Sequence, residues 1–442
     1  MGKPFPKSFI WGSATSSFQV EGNLHLGDRG VSIWDDCENK LQDHSHLLPG
    51  ADGLNHIDED IALLKELGVN AYRMSLSWTR IIPTGEGEPS SFGIKLYREI
   101  FAKLLSNGIT PYVTIFHWDY PKALEERGGW LNPDSIKWFT HYCEVVAEAF
   151  DGLISHYFIM NEPECFVELG YFTGEKAPYK KLPRRDVLII AHNAMKASAI
   201  ASHRLREVSH TPLKLGIALT YSAPYPADFS SYADKEAAYK ATMAFTNRLF
   251  CLPYFADPCY LGQYPQNWVD GFDCRLQLEG QECLGDYDFF GLNIYNGAPV
   301  KASPDGFEFI KGPKERNSLG WGITPDAIRY AVNFCYSRYQ KPLFISENGV
   351  CLTDSIQKGQ VHDARRSSFL DSYLSSLQKG MEDGADVRGY FYWSFLDNLE
   401  WENGYFPRFG LVYTDYVHEA KRIKKDSFYH YQKIIKDKKV PD

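Results

Sequence analysis

Short apolar runs alternate with longer amphipathic ones from one end of the chain to the other. The first five are SFIWG from Ser8, AYRMS from Ala71, TPYVTIFH from Thr110, SHYFIMNE from Ser155 and KLGIALT from Lys214. DFFGLNIY from Asp288, PLFISE from Pro342 and VRGYFYWS from Val387 complete the series. Each is almost continuously apolar, as expected of strands in a parallel sheet whose outer face is covered by helices.

The intervening segments carry a helical period. Ile57, Ile61, Leu64 and Leu67 fall on one face, with Asp52 and Asn55 upstream as candidate caps. Tyr97, Phe101 and Leu104 repeat the pattern. Pro133 and Asp134 open a helix through Trp138, Tyr142, Val145 and Ala149. Further helices are predicted over 187–206, 235–252, 324–339, 361–379 and 421–436. Gly68 and Gly108 act as matching stop signals, each followed at once by a strand.

Eight strand–helix units without an obvious linker predict an α/β fold: one (β/α)8 barrel spanning residues 1–442, with elaborated loops after the strands. A doubly wound sheet in two domains is the rival. It would call for a glycine-rich GxGxxG turn after the first strand, where the chain reads GSATSSFQVEG.

Composition narrows the function. The 442 residues are 44% hydrophobic and 15% aromatic, ample for a large core, and carry a net charge of -9. That charge disfavours a general nucleic-acid binder. The lysine-rich end, AKRIKKDSFYHYQKIIKDKKVPD, interleaves Ile423, Tyr429, Ile434 and Ile435, and reads as a terminal helix with a wet basic side. The nine cysteines are an odd number with no CxxC pair, which suits free thiols in a reducing compartment. Cys251 and Cys259, or Cys274 and Cys283, lack nearby histidines for zinc, and DDCENKLQDHSH from Asp35 has the irregular spacing of a solvated loop. With no apolar leader or membrane-length run, the expectation is a cytoplasmic protein needing no metal or cofactor.

Barrels collect their active sites where strands end. Here those ends carry His117, the pair Asn161 and Glu162, Asn293 with Tyr295, Glu347, and Trp393; Gln19 follows the first run. A strand-end histidine bound to backbone, or a tyrosine and tryptophan buried in the core, would read the same way one at a time. Two carboxylates on separate strands are more telling. Facing each other across a barrel mouth, one protonated and one ionised, they can cleave a glycosidic bond. Aromatic rings would cover the sugar's apolar face, and Gln19, His117, Asn161, Glu400 and Trp401 supply groups suited to its hydroxyls. Glu164 and Glu168 lie close to Glu162, but beyond the strand end.

The order of several motifs resembles glycoside hydrolase family 1, the β-glucosidase-like enzymes. They are FIWGSATSSFQVEG from Phe9, YRMSLSWTRIIPTG from Tyr72, FHWDYPKALEERGGW from Phe116, NEP at 161, DFFGLNIYNG from Asp288, SENG at 346 and YWSFLDNLEWENGYFPRFGL from Tyr392. The resemblance implies a retaining β-glycosidase in which Glu162 is the general acid/base and Glu347 the nucleophile. It implies that Asn161 addresses the 2-hydroxyl, that Tyr295 hydrogen-bonds Glu347, and that Asn293 supports the acid/base side. Gln19, His117, Glu400 and Trp401 would hold the outer hydroxyls of the non-reducing sugar over Trp393, and Arg73 would be the charge partner of Glu347.

Glu400 would repel a phosphate, so the implied substrates are unphosphorylated β-glucosides, with β-galactosides and β-fucosides as companions. Three departures stand out. Ile159 replaces a common Thr, Glu164 replaces a frequent Trp, and GWGITPDAI from Gly320 differs from the usual pattern; the last two weaken any expectation about the leaving group. A transglycosylase using the same intermediate and a sugar-binding barrel without turnover remain alternatives. Oligomeric state, including a homo-oligomer, stays open.

Overall fold

The computed structural model describes residues 4–272 and 276–441, so Cys274 lies outside the described residues. Its centre is a closed barrel of eight parallel strands. They are β1 (Ile10–Ala14), β2 (Ala71–Ser75), β3 (Thr110–Phe116), β4 (His156–Asn161), β5 (Lys214–Thr220), β6 (Phe289–Asn293), β7 (Leu343–Asn348) and β8 (Val387–Trp393). Each predicted run supplies one strand. Neighbours pair in chain order and β1 closes the ring against β8, with Ile10 opposite Gly389 and Ala14 opposite Trp393.

The principal helices following the strands are α1 (Ile57–Leu67), α2 (Ser91–Ser106), α3 (Ser135–Ala149), α4 (Arg184–Val208), α5 (Leu252–Leu261), α6 (Asp326–Tyr339), α7 (Ala364–Glu382) and α8 (Asp426–Asp437). Gly68 ends α1 at φ 84°, its N–H donating to the carbonyls of Leu64 and Lys65. No cap comes from Asp52 or Asn55. His56 occupies the N-cap without a side-chain bond, and the Asp52 carboxylate instead receives the side-chain amides of Asn23 and Asn55.

The predicted 187–206, 324–339 and 361–379 helices shift by two or three residues at their ends, and two others differ in kind. The predicted 235–252 helix is two elements, Tyr232–Met243 and then α5, separated by a non-helical stretch. Pro253 accounts for the restart: it lacks an N–H and so suits the first turn of a helix. The predicted 421–436 helix begins as a strand. Lys421–Lys424 pairs antiparallel with Val412–Asp415, and the helix starts only at Asp426. Charged residues hid this strand, because its hydrogen-bonding partner lies in the loop after β8.

The barrel interior is filled by rings set against small residues. Tyr112, Phe158, Phe289, Phe344 and Phe391 cluster with Ala14, Ala71 and Ala218. Ring centroids are 5.1 Å apart for Tyr112–Phe391, Phe158–Phe289 and Phe289–Phe344. Glycines make this plug fit. A Cβ on Gly12 would lie 2.3 Å from Phe391, on Gly216 2.3 Å from Phe289, and on Gly291 2.7 Å from Phe158. The plug gives the barrel mouth a dry, apolar floor.

Gly12→Ala is therefore expected to lower stability by about 1–3 kcal/mol, as overpacked cores do. Comparison of urea denaturation midpoints with the parent protein measures it; an unchanged midpoint would contradict the close packing described.

Candidate active site

Glu162 begins where β4 stops. Its backbone is left-handed, φ 45° and ψ 63°, directly before Pro163, the first residue of the short helix Pro163–Val167. A residue before proline ordinarily stays extended, and a non-glycine residue in this region costs about 1–3 kcal/mol. The Glu162 N–H donates to Ala218 at 2.8 Å, and the β4–β5 register shifts between Phe158 and Asn161. Glu347 lies near the end of β7, opposite Asn293, where the β7–β6 register shifts between Ile345 and Glu347. Such irregularities re-aim side chains at a barrel rim.

Arg73, on β2, joins the two carboxylate strands. Nη1 donates to Glu347 Oε1 at 2.6 Å and to the Ser346 carbonyl at 3.1 Å; Nη2 donates to Asn161 Oδ1 at 2.6 Å, and Nε to Thr114 at 3.1 Å. The guanidinium is 4.8 Å from the centre of the Phe158 ring, at the top of the aromatic plug. Tyr295 donates its hydroxyl to Glu347 Oε2 at 2.6 Å. Both oxygens of Glu347 are thus engaged by donors.

Glu162 is treated differently. Its Oε1 accepts from Asn293 Nδ2 at 2.9 Å, and no cation pairs with it among the described residues. Burial and then the nearby Glu347 push its carboxyl up to about 7, opposed by the Asn293 hydrogen bond and, more weakly, by Arg73. Asn293 also donates to Asn161 Oδ1 at 3.1 Å and is itself held by Ser346 Oγ at 2.6 Å. Asn161 Nδ2 meets His117 Nε2 at 3.3 Å. Burial, with Arg73 beside it, drives the imidazole well below its usual range, so His117 is neutral near pH 7.

These groups surround a cavity of about 490 Å³ at the strand C-terminal ends. Gln19, His117, Glu162, Tyr295, Glu347, Trp393, Glu400 and Trp401 line it. Asn161, Asn293 and Arg73 do not; they form the hydrogen-bonded layer behind the wall. Gln19 is held at both ends of its amide: Oε1 receives Ser16 at 2.6 Å, and Nε2 donates to Leu399 at 2.6 Å and to Asn398 at 3.2 Å. His117 lies near-parallel to Trp393 at 5.9 Å and to Trp401 at 6.1 Å, so imidazole and indoles make a laminated wall. Burial raises Glu400 to about 7 as well, with Lys176 opposing the rise.

The profile of Glycosyl hydrolase family 1 matches residues 1–440. Beta-glucosidase A of Thermotoga maritima is 35% identical over 455 residues, covering 100% of this chain and 99% of the relative. The chain belongs to glycosyl hydrolase family 1. Beta-glucosidase 40 of Arabidopsis thaliana is 35% identical over 98% of this chain and 92% of its own length. The solved structure of the Thermotoga maritima beta-glucosidase in complex with deoxynojirimycin superposes with a TM-score of 0.90, at 34% identity, covering 99% of this chain and 100% of that one.

Several residues of this family 1 site escaped the sequence reading. Ser346 and Thr114 support Asn293 and Arg73, and Trp118, Trp321, Phe409, Lys176 and Glu402 line the cavity. Ser346 and Trp118 had a signal, each being next to a named residue. Glu402 had the same signal, next to Trp401, whereas Lys176 had none, because only the fold brings the two loops together.

Asn293→Ala should move the Glu162 titration upward, because it removes the hydrogen bond that favours the charged carboxylate. Carboxyl-labelled glutamate NMR over pH 5–9 reads this; a downward movement would contradict the assignment.

Proposed function

We propose that this protein is a retaining β-glycosidase that releases terminal non-reducing β-D-glucosyl residues, with β-galactosides and β-fucosides as companion substrates. The observation that carries the reading is the unequal treatment of two carboxyls on one cavity. Glu162 is buried, without a cationic partner among the described residues, and held up to about 7; Glu347 is clasped by a guanidinium and a phenol. Family membership and the beta-glucosidases among its relatives support the substrate class.

In the first step Glu162, protonated, donates its proton to the glycosidic oxygen as Glu347 attacks the anomeric carbon. The carbon–oxygen bond to the leaving group breaks, the alcohol departs, and a glycosyl ester forms on Glu347. Esterification removes the negative charge of Glu347, which had helped to raise Glu162, so the Glu162 carboxyl falls and acts as a base. It takes a proton from water, whose oxygen attacks the same carbon; the ester bond breaks and both carboxyls return to their starting forms. Arg73 and Tyr295 hold the nucleophile throughout. His117, neutral, can donate or accept at a sugar hydroxyl, and Trp393 with Trp401 covers an apolar sugar face. Gln19, Glu400 and Trp401 address the outer hydroxyls, and Asn161, held by Arg73 and Asn293, addresses the 2-hydroxyl.

The reading treats the whole chain as one catalytic barrel. A cytoplasmic location is part of the proposal, supported by free cysteines at 37, 143, 165, 251, 259, 283, 335 and 351. Among the described residues no helix is long and apolar enough to cross a membrane.

A panel of p-nitrophenyl β-glycosides, with NMR of the first anomer released, tests the whole proposal. β-Glucosides should be cleaved fastest with the β-anomer appearing first; release of the α-anomer would refute the double displacement. Glu347→Gly should abolish turnover, and full activity in that variant would remove Glu347 from the chemistry. Glu162→Ala should cut kcat/KM by about 10²–10⁴-fold on alkyl glucosides, and less on glucosides with acidic phenol leaving groups. Because the acid must be protonated in the free enzyme, kcat/KM should fall about tenfold per pH unit above about 7.

A further inference from the structure

One cation lines the cavity: Lys176, among the described residues that form its wall. It lies in the loop after β4, and its Nζ donates to Glu402 Oε2 at 2.9 Å, from the loop after β8. The side chains are 17% and 9% exposed, so this is a partly dehydrated pair at the inner rim rather than a surface contact. The ammonium also stands 5.7 Å from the centre of the Trp118 ring, and Trp118 packs on Trp401 at 4.7 Å. An ammonium has three donors. Glu402 takes one of them.

Glu400 lies beside this pair on the same wall. Lys176 and Glu400 line the same cavity, and no hydrogen bond joins the two among the described residues. The wall therefore presents, on one cavity, the Glu400 carboxyl and a cation with spare donors that is tied to Glu402, two residues further along the same loop. A hydroxyl suits such a pair, because it donates to the carboxylate and accepts from the ammonium at the same time.

Resting on the glycosidase reading above, we propose that Lys176, fixed by Glu402, determines specificity by binding together with Glu400 an outer hydroxyl of the non-reducing sugar. A sugar that lacks this hydroxyl leaves a carboxylate and an ammonium unsatisfied in a partly buried site, a penalty that apolar contacts cannot offset. An anionic group in the same place would meet Glu400 and Glu402 as well as the single cation. The pair thus selects a neutral hydroxyl.

The test compares kcat and KM of the parent, Lys176→Met and Lys176→Arg on p-nitrophenyl β-glucoside, its 4-deoxy and 6-deoxy analogues, and the β-xyloside. Lys176→Met should lower kcat/KM on the glucoside by about 10- to 100-fold, chiefly through KM. On the analogue that lacks the bound hydroxyl the loss should be under about threefold, so that the preference collapses. Lys176→Arg keeps the charge and should restore much of it. Equal losses on every substrate, an unchanged preference, or a loss that follows the leaving group instead of the sugar would each overturn the role of Lys176 while leaving the glycosidase reading intact. A parent protein that cleaves none of these substrates would overturn both.

Discussion

A buried guanidinium governs this barrel mouth. Arg73 is 1% exposed at the top of a dry aromatic plug, and a lone cation there would cost several kcal/mol. Its compensation comes from four hydrogen bonds reaching β3, β4 and β7, including one to the Glu347 carboxylate. The constraint works in both directions. Arg73 can be buried only if those strand ends converge, and their convergence is held by the need to satisfy Arg73. Small movements of β4 or β7 would therefore disturb both the charge balance and the geometry of the two carboxyls.

That same centre separates the two glutamates electrostatically. Glu347 receives the guanidinium and the Tyr295 phenol directly, whereas Glu162 meets the cation only through space and an amide at close range. Glu162 also holds a backbone conformation that its proline neighbour disfavours. The strain is borne by a hydrogen bond to Ala218 and by full burial of the turn, including Glu164, whose carboxyl burial drives well above its ordinary range.

The loop that carries Glu400 and Trp401 is anchored from below by a second set of buried charges. Lys425 bridges Asp354 at 2.5 Å and Asp397 at 2.7 Å, Arg408 donates to Asp397 at 2.8 Å, and Arg366 joins Asp354 and Asp363. Three cations thus meet three carboxylates between the loops after β7 and β8 and the ends of α7 and α8. Removing one partner would leave a buried charge unpaired, so the network holds the sugar-facing loop against the C-terminal helix.

The sequence by itself determined the eight strands, most of the helices and the strand-end positions of Glu162 and Glu347. Those signals are local: an apolar run, a helical period, a glycine stop, a polar residue where the run ends. It misjudged Lys421–Lys424 because a strand's identity there depends on pairing with Val412–Asp415, and it overran Met243 because residues 244–251 interrupt an otherwise helical-looking stretch. Only the tertiary structure decided that Asn161, Asn293 and Arg73 stand behind the wall, and that Lys176 meets Glu402. Such choices turn on distances between groups far apart in the chain, and on how much water the fold removes from between them; neither is encoded in the spacing of neighbouring residues.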